Sequence, residues 1–141
     1  MENQSLDLKK LQESIFVKKS EGTEVNYFLY PEFEVHRNSL PSGVIQEWHA
    51  HTQVEEVIVC TKGSFIIETI ENQKLISTCV EQGDVARVRN SVHRLRNDEE
   101  NSAEFIVFRF LPDGEEKQEQ IKRDKRTYTE DQIQLLLSNK E

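Results

Sequence analysis

The stretch Gly43-Val44-Ile45-Gln46-Glu47-Trp48-His49-Ala50-His51-Thr52-Gln53-Val54-Glu55-Glu56 decides how this chain is read. Side chains of an extended strand alternate between faces, so residues two apart project to one side. His49 and His51 therefore point together, and two imidazoles so placed can grip one metal ion. Glu56 opens the next strand after a short turn and can return to the same face across a hairpin. A later segment, Gly83-Asp84-Val85-Ala86-Arg87-Val88-Arg89-Asn90-Ser91-Val92-His93, supplies a fourth donor. Two or three histidines with one carboxylate suit borderline divalent metals such as Fe, Mn, Ni, Co or Zn.

The surroundings of these segments predict an all-β domain. From Val25 to Leu111 short runs rich in Val, Ile, Phe and Thr follow one another, among them VNYFLY, VEEVIVCT, SFIIETI, KLISTCV and AEFIVFRF. Polar or glycine-bearing breaks such as NSLPSG, TKG, ENQ, EQGD and NDEENS separate them. Strands at a spacing of ~8–12 residues indicate a sandwich or barrel. Residues 1–24 are expected to form an N-terminal arm with a short helix, because Leu8, Leu11 and Ile15 recur at helical spacing. Residues 112–141 are expected to form a polar connection and a C-terminal helix. In that helix Thr129 caps and Gln132 completes a capping box, with Tyr128 and Ile133 as a hydrophobic staple. Ile133, Leu136 and Leu137 make an apolar stripe for the outside of the barrel or for a partner subunit.

Composition narrows the function classes. The chain of 141 residues is one domain's worth and carries a net charge of −8. So acidic a chain lacks the basic stripe of a general nucleic-acid binder and the polybasic patch of a membrane binder. No apolar run approaches the ~20 residues of a membrane-crossing helix, and the N-terminus does not read as a signal peptide. Cys60 and Cys79 sit apart in strand-like runs and form neither a disulfide framework nor a metal pair. These points give the expectation of a cytoplasmic protein.

The two histidine segments resemble the motifs of the cupin superfamily. The first matches G(X)5HXH(X)4E(X)6G at every fixed position: Gly43, His49, His51, Glu56 and Gly63. The second resembles G(X)5PXG(X)2H(X)3N at Gly83, His93 and Asn97. It departs where Arg89-Asn90-Ser91 replaces the Pro-X-Gly, and it is one residue shorter before His93. Asn90 is the candidate there for the positive φ that the missing glycine would supply. The resemblance covers about residues 25–111 and implies a small single-domain (monocupin) protein. It implies a jelly-roll barrel, the double-stranded β-helix. It also implies one divalent transition metal per chain on His49, His51, Glu56 and His93.

Parity extends the reading to a pocket. With His49 and His51 inward, Ile45 and Glu47 should face in, while Gln46 and Trp48 face away. Glu56 inward brings Ile58 and Cys60, and His93 inward brings Leu95 and Asn97. Glu47 has three readings: a proton-transfer group, an acceptor fixing a histidine tautomer, or a solvated side chain. Arg87 and Arg89 either hold a substrate carboxylate or phosphate or belong to a solvated face. His36, outside both segments, reads as a surface or satisfied strand histidine. Several strands are apolar on both faces, which predicts a homodimer. The leading function is a metal-dependent cupin enzyme on a small molecule, of dioxygenase type. The alternatives are a non-redox isomerase or decarboxylase with Glu47 as base, and a non-catalytic ligand-binding or sensing cupin.

Overall fold

The computed structural model describes residues 5–138. Nine strands form its framework: β1 (Ile15–Lys18), β2 (Glu24–Leu29), β3 (Phe33–Leu40), β4 (Glu55–Lys62), β5 (Ser64–Glu71), β6 (Lys74–Glu81), β7 (Val85–Arg87), β8 (Val92–Arg96) and β9 (Ala103–Phe110). They form a six-stranded sheet in the order β1-β2-β3-β9-β4-β7 and a three-stranded sheet in the order β6-β5-β8. Neighbouring strands are antiparallel throughout. The all-β reading holds, and the two sheets enclose the core as a jelly roll does.

Alternation selects the core. Ile58 and Cys60 on β4, Phe65 and Ile67 on β5, Leu95 on β8, and Phe105 and Val107 on β9 are all buried between the sheets. Phe65 meets Phe105 with ring centroids 5.0 Å apart, an aromatic contact across the two layers. Gly63 makes the tight β4–β5 turn at φ +73°, and a Cβ there would lie 3.2 Å from the Ser102 carbonyl. The β5–β6 hairpin turns on Asn72 and Gln73, both at positive φ, as a two-residue loop of the twist-matching kind requires.

The expected N-terminal helix is corrected to a single 3₁₀ turn at Leu11–Glu13 followed by strand β1. Leu8, Leu11 and Ile15 span too few residues to offset helix nucleation. Ile15-Phe16-Val17 instead joins the ladder, with Phe16 opposite Asn26 and Val17 opposite Val25. The sheet therefore begins ten residues before Val25.

The C-terminal zone matches its expectation more closely. Helix α1 (Gln118–Arg123) lies in the polar connection, and α2 (Glu130–Ser138) follows. Gln132 donates its backbone N–H to Thr129 Oγ1 at 3.2 Å, and Thr129 donates its own to Gln132 Oε1 at 2.8 Å, closing the capping box. Ile133, Leu136 and Leu137 are exposed along α2. Residues 1–4 and 139–141 of the two terminal zones lie outside the described residues. Among the described residues, no helix is long and apolar enough to cross a membrane.

Candidate metal centre

The segment carrying His49 and His51 is not a regular strand. It lies along β8 through isolated bridges, Ile45 to Arg96 and His49 to His93. Four steps on one side match three on the other, so the segment holds one extra residue, the count of a β-bulge. Gln46 closes the resulting gap. Its N–H donates to the Leu95 carbonyl at 2.9 Å, and its Oε1 accepts the Leu95 N–H at 3.3 Å. Gln46 Nε2 also donates to Thr23 Oγ1 at 3.3 Å, tying the β1–β2 turn to this wall.

Beyond the bulge the histidines turn inward. One donor atom each from His49, His51, Glu56 and His93 lies within 4.8 Å of all the others. The ring centroids of His49 and His93 are 4.3 Å apart, and His51 lies 5.4 and 5.7 Å from them. His49 Nδ1 sits 2.9 Å from the Glu47 carbonyl, and His93 Nδ1 sits 2.9 Å from that of Ser91. A carbonyl only accepts, so each Nδ1 carries the proton and each Nε2 keeps its lone pair for the centre. His51 Nε2 lies 3.0 Å from Glu56 Oε1, and Arg109 Nε lies 3.7 Å from Glu56 Oε2. Burial holds His93 below the ordinary histidine range, and its neighbours His49 and His51 push the same way. The Ser91 carbonyl and Glu56 oppose that shift without cancelling it. A buried neutral imidazole is the form that a metal takes. Three imidazole nitrogens with one carboxylate fit a divalent transition ion.

A chamber of about 170 Å³ adjoins the cluster. Its lining combines apolar Ile58, Leu95, Phe105 and Val107 with polar Lys19, Tyr27, His36, Asn38, Gln46 and Arg109.

No protein-family model matches the chain, and no curated protein does. Solved structures do match. A predicted oxalate decarboxylase from Thermotoga maritima superposes with a TM-score of 0.64 at 18% identity, over 75% of this chain and 100% of that one. The Fe(II) enzyme HppE gives 0.63 at 12% identity, over 78% of this chain and 63% of its own. Drosophila melanogaster CENP-C, solved bound to CAL1, gives 0.62 at 15% identity, over 72% and 84%. The chain has the cupin fold. Identities this low establish the fold and leave the chemistry to the site.

In this chain, Ile58 and Leu95 line the chamber as parity predicted, but Ile45, Glu47, Cys60, Arg87 and Arg89 do not. The extra residue between Ile45 and His49 reverses the phase, so Gln46 faces the chamber while Ile45 and Glu47 are exposed. Glu47 reaches the site through its main-chain carbonyl alone, as the acceptor for His49. Cys60 is buried in the core with Sγ near the carbonyls of Lys62 and Gly63, and burial pushes its thiol upward. It lies two strand positions past Ile58, beyond the chamber. Arg87 turns outward to Glu55 Oε2 at 3.1 Å. Arg87 and Arg89 line a groove of about 740 Å³ that reaches the core residues Ile67, Val80 and Val88, and with His51 a smaller one of about 240 Å³. Arg89 itself, not Asn90, takes the positive φ of 52° in that loop. Trp48 faces away as expected, its ring over Arg94 at 4.6 Å.

Sequence reasoning missed His36, Tyr27, Asn38, Lys19 and Arg109. His36 is 6% exposed, with Nε2 2.8 Å from Glu34 Oε1 and its ring edge-on to Tyr27. The signal was available for His36, since β3 alternates with His36, Asn38 and Leu40 on one face. Lys19 and Arg109 enter only through the strand order, which no local pattern displays.

Asn97, the last residue of the second motif, is 1% exposed and lies behind the site. Its Nδ2 donates to the carbonyls of Leu40 and Asn101 at 2.8 and 2.9 Å, and its Oδ1 accepts the Glu99 N–H at 2.8 Å. Its own N–H and carbonyl bond Val44 and Gly43, so it also anchors the start of the histidine segment.

Proposed function

We propose that this chain is a metal-dependent cupin acting on a small molecule in the 170 Å³ chamber. His49, His51, Glu56 and His93 would hold one divalent ion: Fe, Mn, Ni, Co or Zn. The observation that carries this reading is the convergence of four donors within 4.8 Å, with two imidazoles locked by main-chain carbonyls in the tautomer that ligation needs. Such an ion supplies Lewis acidity and, if redox-active, electron exchange.

The rest falls to the chain's own groups. Arg109 steadies the outer oxygen of Glu56, so that the other oxygen faces the histidines. The apolar floor keeps water from the reacting atoms. This division of labour suits a dioxygenase-type oxidoreductase, which asks the protein for placement and a dry pocket. The isomerase or decarboxylase reading draws support from His36 rather than Glu47. His36 sets an imidazole in the chamber wall, with Nε2 held 2.8 Å from Glu34 Oε1. The outer face of the six-stranded sheet supports a homodimer. The register aligns Phe28, Val35, Phe108 and Val57 across four strands there, and Phe108 is 41% exposed.

Metal analysis of protein purified without chelator tests the proposal. One ion per chain is expected, lost in His93→Ala and retained in Glu47→Gln, since the Glu47 carbonyl survives that change. A substoichiometric ion indifferent to His93→Ala would sink it. Aerobic and anaerobic turnover screens after loading Fe(II), Mn(II) or Ni(II) then divide the redox from the non-redox reading.

A further inference from the structure

The chamber wall is cationic in a protein whose net charge is −8. Lys19 and Arg109 contribute two positive charges, and Glu56 the single negative one among the lining residues. Arg109 is engaged with Glu56 at 3.7 Å. Lys19 has no ion-pair partner among the described residues, although the chain offers an excess of carboxylates. Its main chain is fixed all the same. The Lys19 N–H donates to the Thr23 carbonyl at 2.8 Å, the Gly22 N–H donates to the Lys19 carbonyl at 3.0 Å, and buried Thr23 is held by Gln46. A bound divalent ion would raise the excess of positive charge further, so an anion is the complementary occupant.

Apolar lining sets the rest of the ligand: Ile58, Phe105 and Val107 continue the sheet face that carries His36 and Asn38, and Leu95 comes from the other sheet. Ile58, Leu95, Phe105 and Val107 present hydrocarbon only. The volume of about 170 Å³ is well below the ~300–1,000 Å³ of clefts for drug-sized ligands. Bare oxyanions would leave that apolar lining unused, and larger acids would not fit.

We propose that the chamber binds a small carboxylate with a compact apolar body. Its charge is drawn by Lys19 at the mouth, and its hydrocarbon lies on the Ile58, Leu95, Phe105 and Val107 side. The proposal deepens the reading given under Proposed function and rests on it for the metal's share of the charge. Lys19 is the specificity residue to change, because it is exposed on a turn and holds nothing else together. Arg109 is unsuitable, since it also positions Glu56.

Amide nitrogen–proton NMR shifts of the full chain, metal-free and loaded with Zn(II), provide the test. The probes are isobutyrate, its neutral isostere isobutyramide, and inorganic sulfate. Isobutyrate should give saturable shifts around Thr23, Gln46 and His36, tighter with zinc present. Lys19→Met should weaken it about five- to tenfold, the size of one charge-assisted contact at a half-open site, and isobutyramide should bind at least as weakly as isobutyrate binds to that variant. Equal binding of isobutyramide, an unchanged affinity in Lys19→Met, or no saturable shift overturns the proposal. Sulfate competing as well as isobutyrate overturns its apolar half. Zinc stoichiometry in the same samples is an independent readout: zinc bound without isobutyrate shifts refutes the carboxylate alone, whereas isobutyrate shifts in a chain that takes up no zinc refute the metal reading alone.

Discussion

Replacing Asn97 separates the part of the second motif that builds the fold from the part that faces the metal. The side chain makes three hydrogen bonds of 2.8 to 2.9 Å in a setting that is 1% exposed. Each is worth about 0.5–1.5 kcal/mol net, and the Leu40 carbonyl that accepts the first belongs to a residue that is 0% exposed. Asn97→Leu keeps the bulk and removes all three bonds, so the cost comes from stranded polar groups rather than from a cavity. We expect a loss of about 2–4 kcal/mol, a large share of the ~5–15 kcal/mol that holds a domain together. Urea unfolding followed by circular dichroism should show a lower midpoint at unchanged slope. The fall in melting temperature should be on the order of 10 °C. Metal stoichiometry of the folded variant should be unchanged, because Asn97 holds Gly43 and Val44 through its main-chain N–H and carbonyl, which the substitution keeps. A stability loss under about 0.5 kcal/mol in Asn97→Leu would refute the view that these side-chain bonds hold the fold together behind the site.

Two further outcomes follow from features outside the chamber. Glu68 is held below the ordinary glutamate range chiefly by its hydrogen bond from Arg94 at 2.7 Å, with Arg96 assisting at 3.3 Å. A carboxyl with a depressed folded pKa contributes stability above its unfolded value of ~4.3 and loses it as the pH falls through the folded one. Glu68→Gln should therefore be less stable than the parent at neutral pH, with the gap closing below about pH 4. A gap independent of pH would contradict the ion-pair account. Phe108→Glu places a charge in the apolar row on the outer sheet face. Light scattering should show a dimeric parent and a monomeric variant with unchanged circular dichroism, and a variant that stays dimeric rules that face out.

The cluster was legible because its spacing belongs to the backbone. Two residues apart on extended chain means one side, whatever the strand's neighbours, and Glu56 opens a strand whose alternation needs no bulge until after Cys60. The chamber wall was less legible for a physical reason. Parity carried back from His49 passed through an extra residue, and that residue exchanged the roles of Gln46 and Glu47. Arg87 was misplaced because β7 is a three-residue strand whose side-chain facing is set by its pairing with Val57, a long-range contact. The N-terminal strand was hidden for the same reason. Ile15-Phe16-Val17 has little structure of its own and acquires it from β2.

The bulge beside β8 makes this centre sensitive to counting. One residue gained or lost between Gly43 and His49 would scarcely register as a gap when two such sequences are aligned. In three dimensions it would either iron out the irregularity or swing both imidazoles to the solvent side. Relatives of this chain should thus vary freely in the identity of residues 47 and 48, while the number of residues in that interval stays constant.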